Sequence, residues 1–208
     1  MEIFRLKDYQ NKNILIIGNK PIKKLSKEEI DFINSFDIVI RVNGMNNLNE
    51  TGGRVDWWWL NVWNWEVLKK NIGNKDYSSA KIIFIDKQSK YLCERGKLLK
   101  NLYKLNDDIL KFNTDCSSIN LYNIHNLWEP KKIERTIPTT DVICISYMVA
   151  KYPNIKLFFT CLDIETREQL FKTHPNWKNT WHENVGGLEA DFLKKLIENK
   201  NLEYVKLE

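Results

Sequence analysis

No apolar run in this chain approaches the roughly 18–20 residues that cross a bilayer. Its first residues, "MEIFRLKDYQNKNILIIGN", put acidic and basic side chains ahead of the apolar run and offer no small-residue cleavage site, so no secretory signal is expected. The four cysteines, Cys93, Cys116, Cys144 and Cys161, have no metal-type spacing. Cys144 and Cys161 lie inside apolar runs and are expected as reduced core thiols rather than disulfides, which suits the cytoplasm. No G-x-G-x-x-G follows the first apolar run. A hydride-transfer enzyme thereby loses its main support, and a methyltransferase of the dinucleotide-fold kind is weakened. Repeats, low-complexity segments and a clear linker are also missing, which argues for one domain over 1–208. Charge is nearly balanced: 32 Lys and Arg against 27 Asp and Glu leave +5, with the lysines scattered rather than clustered. No nucleic-acid recognition motif accompanies them, so no nucleic-acid partner is expected; a mildly basic surface also suits nucleotides, acidic substrates or an anionic membrane face.

What is present is globular. Hydrophobic residues at 43% with charged residues at 28% can build a core, and 208 residues are enough for a sizeable one. Short apolar runs alternate with helical patterns. "NILIIG" (13–18), "DIVIRVN" (37–43), "VDWWWLN" (55–61), "KIIFID" (81–86), "IKLFFT" (155–160) and "EYVKL" (203–207) are expected as strands. Helices are expected from Ser26, whose S-x-x-E pattern with Glu29 is a capping box, over about 89–105, after Pro138, and over about 187–199. Residues 106–136 are polar, with a short strand expected at "INLYN". The alternation predicts an α/β fold with a mostly parallel sheet and helices on both faces.

Ligands of such sheets bind beyond the carboxyl ends of the strands, so the residues just past each strand matter most. Gly18-Asn19-Lys20-Pro21 follows the first strand; it is equally an ordinary turn or a close backbone approach to a ligand. Arg41 and Asn43 share one strand face by alternation, and Asn61 ends the tryptophan-rich third strand. Eight tryptophans are many for this length; such a cluster is core or a stacking surface for base or sugar. "IPTTDVIC" (137–144) has the form of a helix start whose Thr139 and Thr140 hydroxyls and open N–H groups can be capped or can hold an anion, although Asp141 adds a negative charge there. "TCLDIE" (160–165) puts Asp163 at another strand end. His174 and His182 lie in a polar, tryptophan-flanked stretch ahead of the last helix, where a histidine is either structural or a general base.

Taken in order, these segments resemble the sialyltransferases that use CMP-activated sugar. "ILIIGNKP…IDFINSFDIVIRVN" is similar to the first motif of that group, and "GGRVDWWWLN" to the segment and strand that follow it. "IPTTDVICISYMVAKYPNIKLFFTCLD" resembles the second motif, and "WHENVGGLEADFLKKL" the terminal one, in which a histidine precedes a glutamate-bearing helix. The likeness spans roughly 13–65 and 135–196 in the right order.

The resemblance implies a single Rossmann-like domain, a glycosyltransferase-A-like variant of the sialyltransferase type, with no metal and no cofactor beyond the CMP-sugar donor. It implies nucleotide or donor contacts from Gly18, Asn19, Arg41, Asn43, Asn61, Thr139, Thr140 and Asp163. His182 would deprotonate the hydroxyl of a glycan acceptor. The tyrosines that hold the leaving phosphate in the bacterial type have no counterpart in 163–182, and Arg167, Lys172 and Lys178 are the candidates to replace them. Asp141 and Cys161 stand where the motifs carry glycine, and the His-to-Glu spacing is longer than usual. The expected product is therefore an inverting, metal-independent transferase, cytoplasmic and associated with the inner face of a membrane. The alternative is a nucleotide-binding relative without transferase activity. The sequence leaves the oligomeric state open.

Overall fold

The structure, a computed structural model, describes residues 11–44, 47–61, 81–85, 139–151, 154–166 and 186–207. The expected helix near 89–105, the strand at "INLYN", and Arg167, Lys172, Lys178, His174 and His182 lie outside the described residues.

The apolar runs become strands β1 (Asn13–Ile17), β2 (Ile38–Val42), β3 (Trp57–Asn61), β4 (Lys81–Ile85), β5 (Lys156–Thr160) and β6 (Glu203–Tyr204). The helices among the described residues are α1 (Lys27–Asn34), α2 (Thr140–Lys151) and α3 (Gly186–Glu198). The strands form one six-stranded sheet in the order β4-β3-β2-β1-β5-β6. Each neighbouring pair runs parallel. This is an α/β fold of the Rossmann kind. The chain steps outward from β1 through β2 and β3 to β4, then returns to the other side of β1 for β5 and β6. Successive connections thus leave β1 in opposite directions, and a crevice opens beyond the carboxyl ends at such a reversal.

Strand alternation sends β1 side chains into two cores. Ile14 and Ile16 join Ile40, Trp57, Trp59 and Phe159 beneath α2 and α3, whose Val142, Ile145, Phe192 and Leu193 complete that layer. Leu15 and Ile17 face the other way, against Val39 and the α1 residues Ile33 and Ile30. A strand buried on both faces must be apolar throughout, which is why "NILII" and "IVIRV" do not alternate in polarity. The three β3 tryptophans are buried, Trp58 and Trp59 completely, so they are core and not a stacking surface. Cys144 and Cys161 are free and buried, as expected for reduced core thiols.

Local signals set the helix starts. Ser26 Oγ accepts from Glu29 N at 3.2 Å, and Glu29 Oε2 accepts from Ser26 N at 2.8 Å, closing the expected capping box. The end of α1 carries no basic residue, and Arg54 supplies the charge from elsewhere by donating to Asn34 O and Phe36 O at 2.6 and 2.9 Å. The last strand is shorter than the sequence pattern suggests. Val205 N still bonds to Phe159 O at 2.8 Å, but Val205 and Leu207 then pack against the α1-side core rather than extend the sheet edge.

Candidate functional site

The crossing between β1 and β5 organises the site. Beyond it the two strand-end loops remain joined: Gly18 N donates to Thr160 O and Lys20 N to Cys161 O, each at 2.9 Å. This close approach is what requires glycine. A Cβ on Gly18 would lie 2.4 Å from Cys161 O and 2.3 Å from Leu162 Cδ2. Replacing Gly18 by alanine is expected to cost about 1–3 kcal/mol, because the backbone oxygen cannot move aside as a flexible side chain would. Urea unfolding measures this, and a loss below about 0.5 kcal/mol would show that the loops separate readily.

The partner loop is built for the same contact. Cys161 has φ +54°, a left-handed conformation that glycine adopts without strain and that costs another residue about 1–2 kcal/mol. Burial pushes the Cys161 thiol up, against a hydrogen bond to Thr160 and the positive charges of Arg41 and Lys20. The thiol stays protonated, and a nucleophilic role is not supported.

Three further expected residues hold the rim together. Asn19 Nδ2 donates to Val42 O at 3.0 Å, tying the β1 loop to the end of β2. Asn43 takes φ +47°, a region asparagine tolerates better than most residues, and its backbone bonds both Trp59 O (2.8 Å) and Trp58 Nε1 (2.7 Å). Asn43 has therefore left the strand, and the alternation that paired it with Arg41 ends at Val42. Arg41 is only 1% exposed. Its guanidinium donates to Arg54 O (2.9 Å), Thr51 Oγ1 (2.5 Å) and Thr51 O (3.2 Å), fastening the turn that follows β2. Asn61 is the last residue of β3, opposite Ile85 of β4. The strand ends from β3 to β5 form a row about 15 Å long, three inter-strand gaps wide.

That turn contributes a residue the sequence pattern did not single out. Asn47 is buried, and its Nδ2 donates to Gly18 O (3.0 Å) and Lys20 O (3.1 Å). The β1 loop is thus clamped from both sides, by the β5 loop and by Asn47. On the β5 side, Asp163 accepts from Thr166 N at 3.0 Å and from the Thr166 hydroxyl, and its carboxylate lies 3.6 Å from Lys20 Nζ. Burial pushes the Asp163 carboxyl up, but the Thr166 bonds and the Lys20 charge outweigh it and leave the group below its ordinary value. Asp163 is ionised at neutral pH.

The start of α2 is capped from another helix. Each helix here precedes a parallel strand, so the N-termini of α2 and α3 face the rim formed by the strand ends. Thr139 caps α2, with Ile143 N donating to Thr139 O at 3.0 Å. The Thr139 N–H donates at 2.6 Å to Oε1 of Glu189, a fully buried carboxylate in the first turn of α3. In α1 the third helical residue, Glu29, performs this task locally. In α2 that position is Val142, and a glutamate from another helix takes the role. One carboxylate thereby lies close to the positive ends of two helices, which offsets part of the cost of burying it. Thr140 and Asp141 are buried as well, at 3% and 8% exposure. The Thr139 N–H is thus taken from within the protein, by Glu189.

Compared with known families and curated proteins, the chain gives no match. Among the described residues, no three of His, Cys, Asp and Glu gather as a metal ion would need. No described helix is long and apolar enough to cross a membrane.

Proposed function

We propose that this chain is an inverting glycosyltransferase that moves sialic acid or a related keto-sugar acid from a CMP-activated donor to a glycan hydroxyl. What supports the reading is the reversal of strand order at β1. It gathers Gly18, Asn19, Asn43 and Asp163, each drawn from the motif-like segments, along one rim. The motif-like segments occur in the order the resemblance requires, and the glycine-type backbone at position 161 falls where the second motif carries glycine.

In this mechanism His182 takes the proton from the acceptor hydroxyl. The acceptor oxygen attacks the anomeric carbon as the bond from that carbon to the phosphate oxygen breaks. CMP leaves with the bonding electron pair, and the configuration inverts. Asn19, Asn43 and Asn61 orient the nucleotide, with Thr139 and Thr140 beside it. Arg41 acts by holding the turn that carries Asn47. N–H groups, hydroxyls and nearby cations stabilise the leaving phosphate in place of a metal ion. In this reading the protein works in the cytoplasm, peripherally at the inner face of a membrane, in the assembly of a surface glycan.

A second reading is favoured by one observation: the Thr139 N–H at the start of α2 is already taken by the buried Glu189, with the buried Asp141 beside it. Such a protein would bind the nucleotide without transferring sugar. Donor consumption separates the two readings. Release of CMP from a CMP-sugar, undiminished by a chelator, is expected of the transferase. Binding of CMP without release from any CMP-sugar would leave the second reading.

A further inference from the structure

The geometry points to Lys20 as the cation that contacts the phosphate of the bound nucleotide at the β1–β5 crossing. This rests on the reading of the crevice as a nucleotide site, and it assigns the phosphate to a position on the rim other than the start of α2.

The backbone of Lys20 is held on both sides, while its side chain is half exposed. Its N–H bonds to Cys161 O at 2.9 Å, its carbonyl accepts from Asn47 Nδ2 at 3.1 Å, and Pro21 restricts the next step of the chain. From that root the ammonium extends over the strand-end loops and remains 47% exposed. Its carboxylate neighbour, Asp163, is 3.6 Å away, longer than the 2.7–2.9 Å typical of a charge-assisted hydrogen bond. Asp163 is already engaged by Thr166 N and the Thr166 hydroxyl. The ammonium is therefore oriented by a nearby charge while keeping donors available for a ligand. A half-exposed ion pair adds little to folding, so stability gives a weak reason for a lysine here.

Position favours the same conclusion. The strand order reverses between β1 and β5, and Lys20 stands at that reversal. Asn47 and the paired backbones of 18–20 and 160–161 make this the most firmly held part of the described rim. At the start of α2 the Thr139 N–H is already taken by Glu189 Oε1 at 2.6 Å. The half-exposed Lys20 ammonium instead offers a positive charge to a phosphate. In the proposed transfer the phosphate gains charge as the glycosidic bond breaks, so an ammonium fixed beside it stabilises the leaving group.

The test compares CMP with cytidine, which lacks the phosphate, on wild-type protein, Lys20→Met and Lys20→Arg by calorimetric titration. Lys20→Met is expected to weaken CMP binding about tenfold or more, as for a lost charged hydrogen bond, and to leave cytidine within about twofold. Lys20→Arg should recover most of the CMP affinity, and both variants should unfold near the wild-type midpoint. Unchanged CMP binding by Lys20→Met, or equal weakening of CMP and cytidine, would overturn the assignment. UMP, AMP and GMP are titrated in parallel. If they bind as well as CMP and depend equally on Lys20, the CMP-sugar reading fails while the phosphate contact stands. If none of the four monophosphates binds more tightly than its nucleoside, both fail.

Discussion

His182→Ala is expected to lower turnover of a CMP-sugar donor about 100- to 10,000-fold while CMP affinity stays within about twofold. The split follows from what the imidazole is proposed to do. A general base removes the acceptor proton only as the new bond forms, so its loss raises the barrier without altering the resting nucleotide complex. Histidine is also the side chain whose charge changes nearest neutral pH, as such a base requires. Rates measured at saturating donor and acceptor, paired with CMP titration of the same variant, test this directly. Equal turnover in variant and wild type would remove His182 from the mechanism. Loss of CMP binding in parallel with turnover would make its role one of donor binding.

Glu189→Ala should be the most destabilising single change among the site residues, with a loss of about 2–5 kcal/mol. The substitution leaves the part-buried Thr139 N–H without the 2.6 Å acceptor it now has, and it opens a hole in a position with no solvent exposure. It also uncouples the first turn of α3 from the cap of α2. Glu189→Gln keeps an oxygen acceptor in place, so it should cost about 1 kcal/mol. Urea unfolding of both variants measures the difference. A loss below about 0.5 kcal/mol for the alanine variant would mean that the carboxylate contact does not hold the two helices together.

The elements that periodicity and local chemistry specify were legible in the sequence. The doubly buried strands β1 and β2 are continuous apolar runs; Ser26 and Glu29 announce α1; Pro138 with two threonines announces α2. Which strand lies beside which was not legible, since the position of β5 next to β1 depends on contacts across more than a hundred residues. The site was legible only as a set of strand ends. Asparagines 19 and 43 stand out as polar residues after apolar runs, but the pattern cannot separate a ligand contact from a bond to Val42 O or a left-handed turn. Arg41 read as a rim residue because alternation fixes a face and not an exposure; the turn carrying Thr51 covers it.

Glu189 and Lys20 show the limit most clearly. Glu189 lies 50 residues from the N–H it accepts from, so no local pattern links them. The puzzle of an aspartate at an apparent phosphate-binding helix start becomes a different one in three dimensions. The Thr139 N–H is taken from within the protein, and Lys20, in the Gly18-Asn19-Lys20-Pro21 loop, is the cation proposed to meet the phosphate. Lysine in that loop resembled any surface lysine until the backbone contacts at Cys161 and Asn47 fixed its place.

Calorimetric titration of the full chain with CMP, UDP and S-adenosylmethionine tests the central claim most directly. The account predicts that CMP binds at least about tenfold more tightly than either of the others. CMP binding no better than UDP or S-adenosylmethionine would contradict it.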